Sequence, residues 1–145
     1  MPLAAPAAGW LPVLATARAR LERELERDLP LGSDVAPRLA ALLDRVVEWG
    51  RRLDLTAART PQELVDQYLA DALVIAALEP VVAAAPWIDV GSGGGAPGLV
   101  LALLRPEADF TLVEPRTKRA AFLRAAAAAV GVHLAGVEPR RSEAL

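Results

Sequence analysis

The chain has no cysteine in its 145 residues, which excludes disulfides and cysteinyl metal sites and fits a reducing, cytoplasmic compartment. His133 is its single histidine, in a loop position that favours no role, and no His/Asp/Glu set has the spacing of metal ligands. No serine-nucleophile motif is present. Aromatics make up only 4% against 54% hydrophobic residues, so the core must be built mostly of Ala, Leu and Val. No apolar stretch is long enough to span a bilayer. Residues 1–14 are apolar but lack a basic leader and are broken by Pro2, Pro6 and Pro12. That argues against a secretory signal and predicts a frayed end. The net charge of −2 disfavours non-specific binding to nucleic acid, though it leaves room for a local basic patch. Alanine runs, arginine in place of all lysines but Lys118, and twelve prolines reflect GC-rich coding and carry no functional weight.

What is present is a change of texture. Residues 1–85 read as helices. Leu14, Leu21 and Leu25 form one stripe, ended by the break over Pro30–Asp34, where Ser33 or Asp34 can cap the next helix. Leu39, Leu42, Leu43, Val46 and Val47 follow the spacing of a core-facing helix. Thr60-Pro61-Gln62-Glu63 is a capping box with proline at the first helical position. The helix it opens carries Leu64, Tyr68, Ala72, Ile75 and Leu78 on one face, with Asp71 on or beside that stripe.

From Pro86 to the last residue the pattern becomes strand, turn, helix, strand, helix, strand. The predicted elements are strands Trp87–Val90, Phe110–Val113 and Leu134–Val137, with helices Gly98–Leu104 and Thr117–Val130 between them. Such alternation predicts an α/β fold with a parallel sheet and right-handed crossovers, residues 1–85 packing onto residues 86–145 as one domain.

The first strand runs into Gly91-Ser-Gly-Gly-Gly-Ala-Pro-Gly98, which contains G-x-G-x-x-G at Gly93, Gly95 and Gly98 and G-x-G-x-x-A at Gly91, Gly93 and Ala96. A glycine loop at the carboxyl end of a first parallel strand is a nucleotide-like site, compatible with NAD, FAD or S-adenosylmethionine. Three residues discriminate. Asp89, two residues before the first glycine, suits a ligand carrying an ammonium or sulfonium better than a pyrophosphate. Pro97 removes a backbone N–H that a phosphate would use. Glu114, about twenty residues beyond the loop, stands where an acid accepts ribose hydroxyls. S-adenosylmethionine satisfies all three. The alternatives are a loop-capping carboxylate for Asp89, a solvated strand end for Glu114, and an NAD-dependent oxidoreductase for the whole chain.

With these residues in place, the sequence from about Leu39 onward resembles the bacterial ribosomal RNA small subunit methyltransferase G family. These are 16S rRNA guanine-N7 methyltransferases, also called glucose-inhibited division protein B. The matching residues are Trp49, Asp54-Leu-Thr56, Asp71, Ile88-Asp-Val-Gly-Ser-Gly93, Pro97-Gly98, Arg105-Pro-Glu107, Thr111-Leu-Val-Glu114, Lys118-Arg119 and Phe122-Leu123.

The resemblance implies a class I, Rossmann-like S-adenosylmethionine-dependent methyltransferase fold, here N-terminal helices plus the first half of the parallel sheet. It also implies methylation of N7 of a guanine in 16S rRNA on the small ribosomal subunit. Gly91 and Ala96 match the family's loop contacts to the cofactor, Glu114 its ribose-binding acid, and Ser142-Glu143 the segment lining the adenine. With Asp89 and Gly93 these form the candidate cofactor-binding set, while no catalytic residue and no metal ligand is assigned. N7 of guanine is already nucleophilic, so the chemistry asks for alignment more than for a general base.

Three positions depart from the family pattern: Asp54 for Asn, Tyr68 for His and Ala72 for Ser. The family also continues past the third strand, with strands on the far side of strand one and a basic segment. The expectation is therefore an incomplete chain whose first strand is an exposed apolar edge, active or a non-catalytic remnant. Lys118, Arg119, Arg124, Arg116 and Arg140-Arg141 could meet rRNA phosphates or could simply be solvated.

Overall fold

The computed structural model describes residues 2–29, 31–78, 86–141 and 143. Three helices come first: α1 (Leu11–Leu25), α2 (Val35–Gly50) and α3 (Pro61–Ala76). Then β1 (Trp87–Val90), α4 (Gly98–Leu104), β2 (Phe110–Val113), α5 (Thr117–Ala129) and β3 (Gly136–Glu138) alternate. The strands form a parallel sheet in the order β1-β2-β3, with Ile88 opposite Thr111 and Leu112 opposite Val137. Two successive right-handed crossovers in one direction put α4 and α5 on the same face. Phe110 and Leu112 are buried on that face, and Trp87 stacks on Phe110 with ring centroids 6.0 Å apart. On the opposite face of β1, Ile88 and Val90 are 58% and 54% exposed, and among the described residues β1 and β3 are the two edge strands.

The helices and the sheet share one buried cluster running from Trp10 and Leu14 through Leu42, Leu64 and Leu69 to Leu99, Phe122 and Leu123. Helix α2 owes its place to the predicted stripe, since Leu39, Leu42, Leu43, Val46 and Val47 are all buried. Helix α3 opens as predicted. The Thr60 side chain accepts the Glu63 N–H at 3.2 Å, and the Glu63 carboxylate turns back to the Arg59 N–H at 2.7 Å. A latch of Arg20 on Asp66, 2.6 Å, fastens α1 to α3.

The structure corrects several expectations. The N-terminal segment is tied down rather than frayed from Trp10 onward: its ring is buried and its Nε1–H donates to the Asp44 carboxylate at 2.7 Å. Neither Ser33 nor Asp34 caps α2 with its side chain. Asp34 is already in helical conformation and reaches Arg38 instead, while the Gly32 carbonyl takes the Val35 N–H. In α1 the buried stripe is Leu14, Ala17 and Leu21, with Leu25 exposed. Leu78 lies beyond the end of α3 and is exposed, and Asp71 faces solvent. Strand β3 is displaced toward the C-terminus of its predicted span because β2 sets its register. The Ala135 N–H meets the Phe110 carbonyl, and the Glu114 N–H meets the Glu138 carbonyl. Helix α5 stops one residue earlier than predicted, ahead of Gly131 in the left-handed region.

Candidate cofactor site

Strand β1 ends at Val90 and the chain turns at once. Gly91, Gly93 and Gly95 have φ of 79°, 54° and 98°, backbone conformations that L side chains rarely adopt. The turn is bound to the strand ends: Gly91 and Ser92 donate their N–H groups to the Val113 carbonyl, and the Ser92 hydroxyl donates to the Asp89 carbonyl at 2.9 Å. Pro97, joined to Ala96 by a cis peptide bond, is the N-cap of α4, so the helix begins at Gly98.

Glu114 is the charged residue this arrangement explains best. It sits at the end of β2 and is 3% exposed, so it is no solvated strand end. One carboxylate oxygen accepts the Gly93 N–H at 3.0 Å and the other the Arg116 N–H at 2.9 Å. The acid and the glycine loop are therefore physically joined. A carboxylate offers about four acceptor positions. Two are taken here, and the others are free of protein donors among the described residues.

Asp89 is placed differently. Its side chain turns toward the helix-covered face, where a Cβ on Gly98 would overlap its carboxylate. Its Oδ2 is buried with no hydrogen-bond partner among the described residues. Burial pushes the carboxyl above the ordinary carboxylate range, partly offset by Ser92 and the Gly98 backbone. Burial beneath the loop thus disfavours its charged form.

A cleft of about 430 Å³ opens at the carboxyl ends of β1 and β2, lined by Val90, Gly91, Val113, Pro115, Arg116, Arg141 and Glu143. Its volume lies in the range of small-ligand sites, roughly 300–1,000 Å³. Of the sequence-derived set, Gly91 and Glu143 line it. Glu114 and Gly93 are joined to each other but are not in its lining, Ala96 is half-buried against the core, and Ser142 falls outside the described residues. Among the described residues no His/Cys/Asp/Glu group is arranged to hold a metal ion, and no helix is long and apolar enough to cross a membrane.

Two residues that the sequence did not assign to the loop hold its back. The buried Tyr68 hydroxyl, its pKa raised by burial, donates to the Gly94 carbonyl at 2.5 Å. The Leu55 carbonyl closes the space where a Gly94 side chain would stand. Tyr68 thus holds the loop from behind. The candidate RNA cations also separate. Arg119 is engaged by the Asp54 carbonyl and carboxylate, Arg124 by the Val137 carbonyl, and Arg140 by Glu138. Lys118 and Arg116 stay exposed.

A parallel sheet with a glycine loop at its first strand end and an acid at its second defines a Rossmann-like α/β protein of the class I methyltransferase type. Comparison with known proteins narrows this further. The family described as rRNA small subunit methyltransferase G matches residues 36–144, and the chain belongs to that family. It is 41% identical over 129 residues to ribosomal RNA small subunit methyltransferase G of Halorhodospira halophila, covering 88% of this chain and 60% of that protein. With the namesake from Myxococcus xanthus the identity is 38% over 102 residues, 70% of this chain and 46% of the relative. The chain thus spans about half to three-fifths of the length of these relatives. Nothing in these matches supports the NAD-dependent alternative.

Proposed function

We propose that this chain binds S-adenosylmethionine in the cleft at the ends of β1 and β2 and belongs to a cytoplasmic enzyme that methylates N7 of a guanine in 16S rRNA. The observation that carries the reading is the bond between Gly93 and Glu114, which unites the loop and the acid that follows it in one unit. Glu114 would accept the ribose hydroxyls through its free acceptor positions. Gly91, with open space where a side chain would stand, lets the backbone approach the ligand. Gly93 and Ala96 would complete the loop contacts, and Ser142 and Glu143 would border the adenine. The Asp89 carboxylate, whose Oδ2 has no partner among the described residues, favours a ligand that brings positive charge to the loop, and it would disfavour a pyrophosphate. When bound, the cofactor supplies a methyl group on a positively charged sulfur. The chain's part is then to orient it, since guanine N7 needs no deprotonation. The names of the relatives, which act on ribosomal RNA of the small subunit, support the substrate.

Titration calorimetry with S-adenosylhomocysteine and with NADH tests the donor site. Binding of the first with no heat from the second is expected, and a preference for NADH would sink the reading. Glu114→Ala should weaken S-adenosylhomocysteine binding by about tenfold or more, since charge-assisted hydrogen bonds are worth roughly 1.5–3 kcal/mol. Transfer of labelled methyl to 16S rRNA tests the reaction itself.

A further inference from the structure

Away from the cleft, a broader groove of about 690 Å³ runs between the C-terminal end of α2 and the first turns of α5. Its walls carry Arg45, Arg51, Arg52 and Lys118, with Trp49 and Leu53 between them. Glu48 is the one acid in its lining and pairs with Arg45 at 3.5 Å. Arg51, Arg52 and Lys118 are exposed and make no ion pair among the described residues. The chain as a whole is slightly acidic, so four of its sixteen cationic side chains in one groove is a local concentration.

From this geometry we infer that the groove is a docking surface for the phosphate backbone of an RNA strand. Clustered cations with an interleaved aromatic are the composition that tracks a single-stranded backbone and leaves a ring against which a base can rest. The half-buried Trp49 ring is held edge-on by Phe122 at 5.6 Å, so it is fixed in place. The groove is also linked to the donor site through the chain segments that line the two. Lys118, in the first turn of α5, stands four residues after Glu114, and Arg116 between them lines the cleft. On the other wall, the strand of chain from Arg52 leads to Asp54, which Arg119 grips, and to Leu55, whose carbonyl backs the glycine loop. RNA bound along the groove therefore lies against the two segments that shape the cofactor loop. The inference rests on the proposed RNA-directed reaction for its orientation, but the groove's charge is independent of it.

Filter binding of in vitro transcribed 16S rRNA to the full chain, over a range of salt concentrations, tests the groove. Each phosphate contact on a single strand contributes about 0.7 to the slope of log affinity against log salt. The triple variant Arg51→Gln/Arg52→Gln/Lys118→Gln should therefore lower the slope by roughly 2 and weaken binding at low salt by about tenfold or more. Lys118→Gln alone should lower the slope by about 0.7. Arg23→Gln/Arg27→Gln, on the exposed end of α1, should leave the slope unchanged. An unchanged slope in the triple variant overturns the inference, as does a wild-type chain that does not bind 16S rRNA. Displacement of the RNA by polyglutamate at equal charge concentration also overturns it, in favour of an acidic protein partner. Calorimetry with S-adenosylhomocysteine separates the two readings. A wild-type chain that binds rRNA through the groove without binding this ligand supports the groove and refutes the proposed donor site.

Discussion

The two ends of the glycine loop use glycine for different reasons. At Gly91 the backbone has φ of 79° and nothing lies within 4 Å of where a Cβ would be. At Gly98 the conformation is ordinary, but a Cβ would overlap the Asp89 carboxylate and stand 2.7 Å from the Leu112 side chain. The first glycine is needed for conformation and faces open space; the last is needed so that α4 can sit down on β1 and β2. The loop thus has a ligand-facing end and a packing end. Substitutions should separate them by measurement, stability at one end and ligand affinity at the other.

Gly98→Ala should have the largest effect. The buried methyl must displace a strand side chain and lift α4, and overpacking of this kind typically costs about 1–3 kcal/mol, with a backbone shift at the upper end. Urea unfolding should show a loss near 3 kcal/mol. A loss below about 0.5 kcal/mol would mean that α4 is not seated as closely as its contacts require.

Gly94→Ala follows at about 2 kcal/mol. Its methyl would meet the Leu55 carbonyl at 2.6 Å and the Tyr68 hydroxyl at 2.5 Å. Tyr68→Phe should relieve part of that clash while leaving the Gly94 carbonyl without its donor. The double variant should therefore be less destabilised than the sum of the singles, which a double-mutant cycle in urea measures.

Much of this region was legible in the sequence, and the reason is local chemistry. Glycine and proline punctuate the chain around 91–98, so β1, α4 and β2 lie where the spacing puts them. The Thr60–Glu63 box declares its own helix start in four residues. The misses that bear on the site and its surroundings are long-range. Trp10 looked like part of a loose end because its partner Asp44 lies 34 residues away, and Arg119 looked free because Asp54 lies 65 residues away. Tyr68 reads as one more core aromatic until α3 brings its hydroxyl to Gly94, 26 residues on. The basic groove was half visible: Lys118 stood out, but Arg45, Arg51 and Arg52 join it only through the packing of α2 on α5. The edge position of β1 was expected from the family resemblance, since the strands that would flank it lie past the third strand.

At the ligand-facing end, Gly91→Ala should cost only about 1–2 kcal/mol of stability, the penalty for placing a Cβ in the left-handed region. Its larger consequence should be in affinity, a drop of tenfold or more for S-adenosylhomocysteine by calorimetry. Equal affinity in the variant would show that the backbone at 91 does not approach the ligand.

The smallest effect, and the one that joins the two ends, is the pH dependence contributed by Asp89. Its carboxyl faces the packing end, where burial raises its native pKa above the ordinary 3.8. The folded chain then holds the proton more tightly than the unfolded chain. Stability must therefore fall as pH rises from about 3.8 through the native value, and the full penalty stands above it. Asp89→Asn cannot ionise, so its stability relative to the parent should grow across that window and then level off. Glu22 on α1 has the opposite sign. The Leu29 N–H and Arg18 hold its pKa below the ordinary 4.5, so its contribution is present above that value and is lost as pH falls through the native one. Urea unfolding from pH 3 to 8 of Asp89→Asn and Glu22→Gln should give difference curves of opposite slope. If Asp89 also attracts a cationic ligand, Asp89→Asn should be the more stable chain at neutral pH and the weaker binder of S-adenosylmethionine. Matching losses in both would make Asp89 a loop-holding acid with no share in ligand recognition.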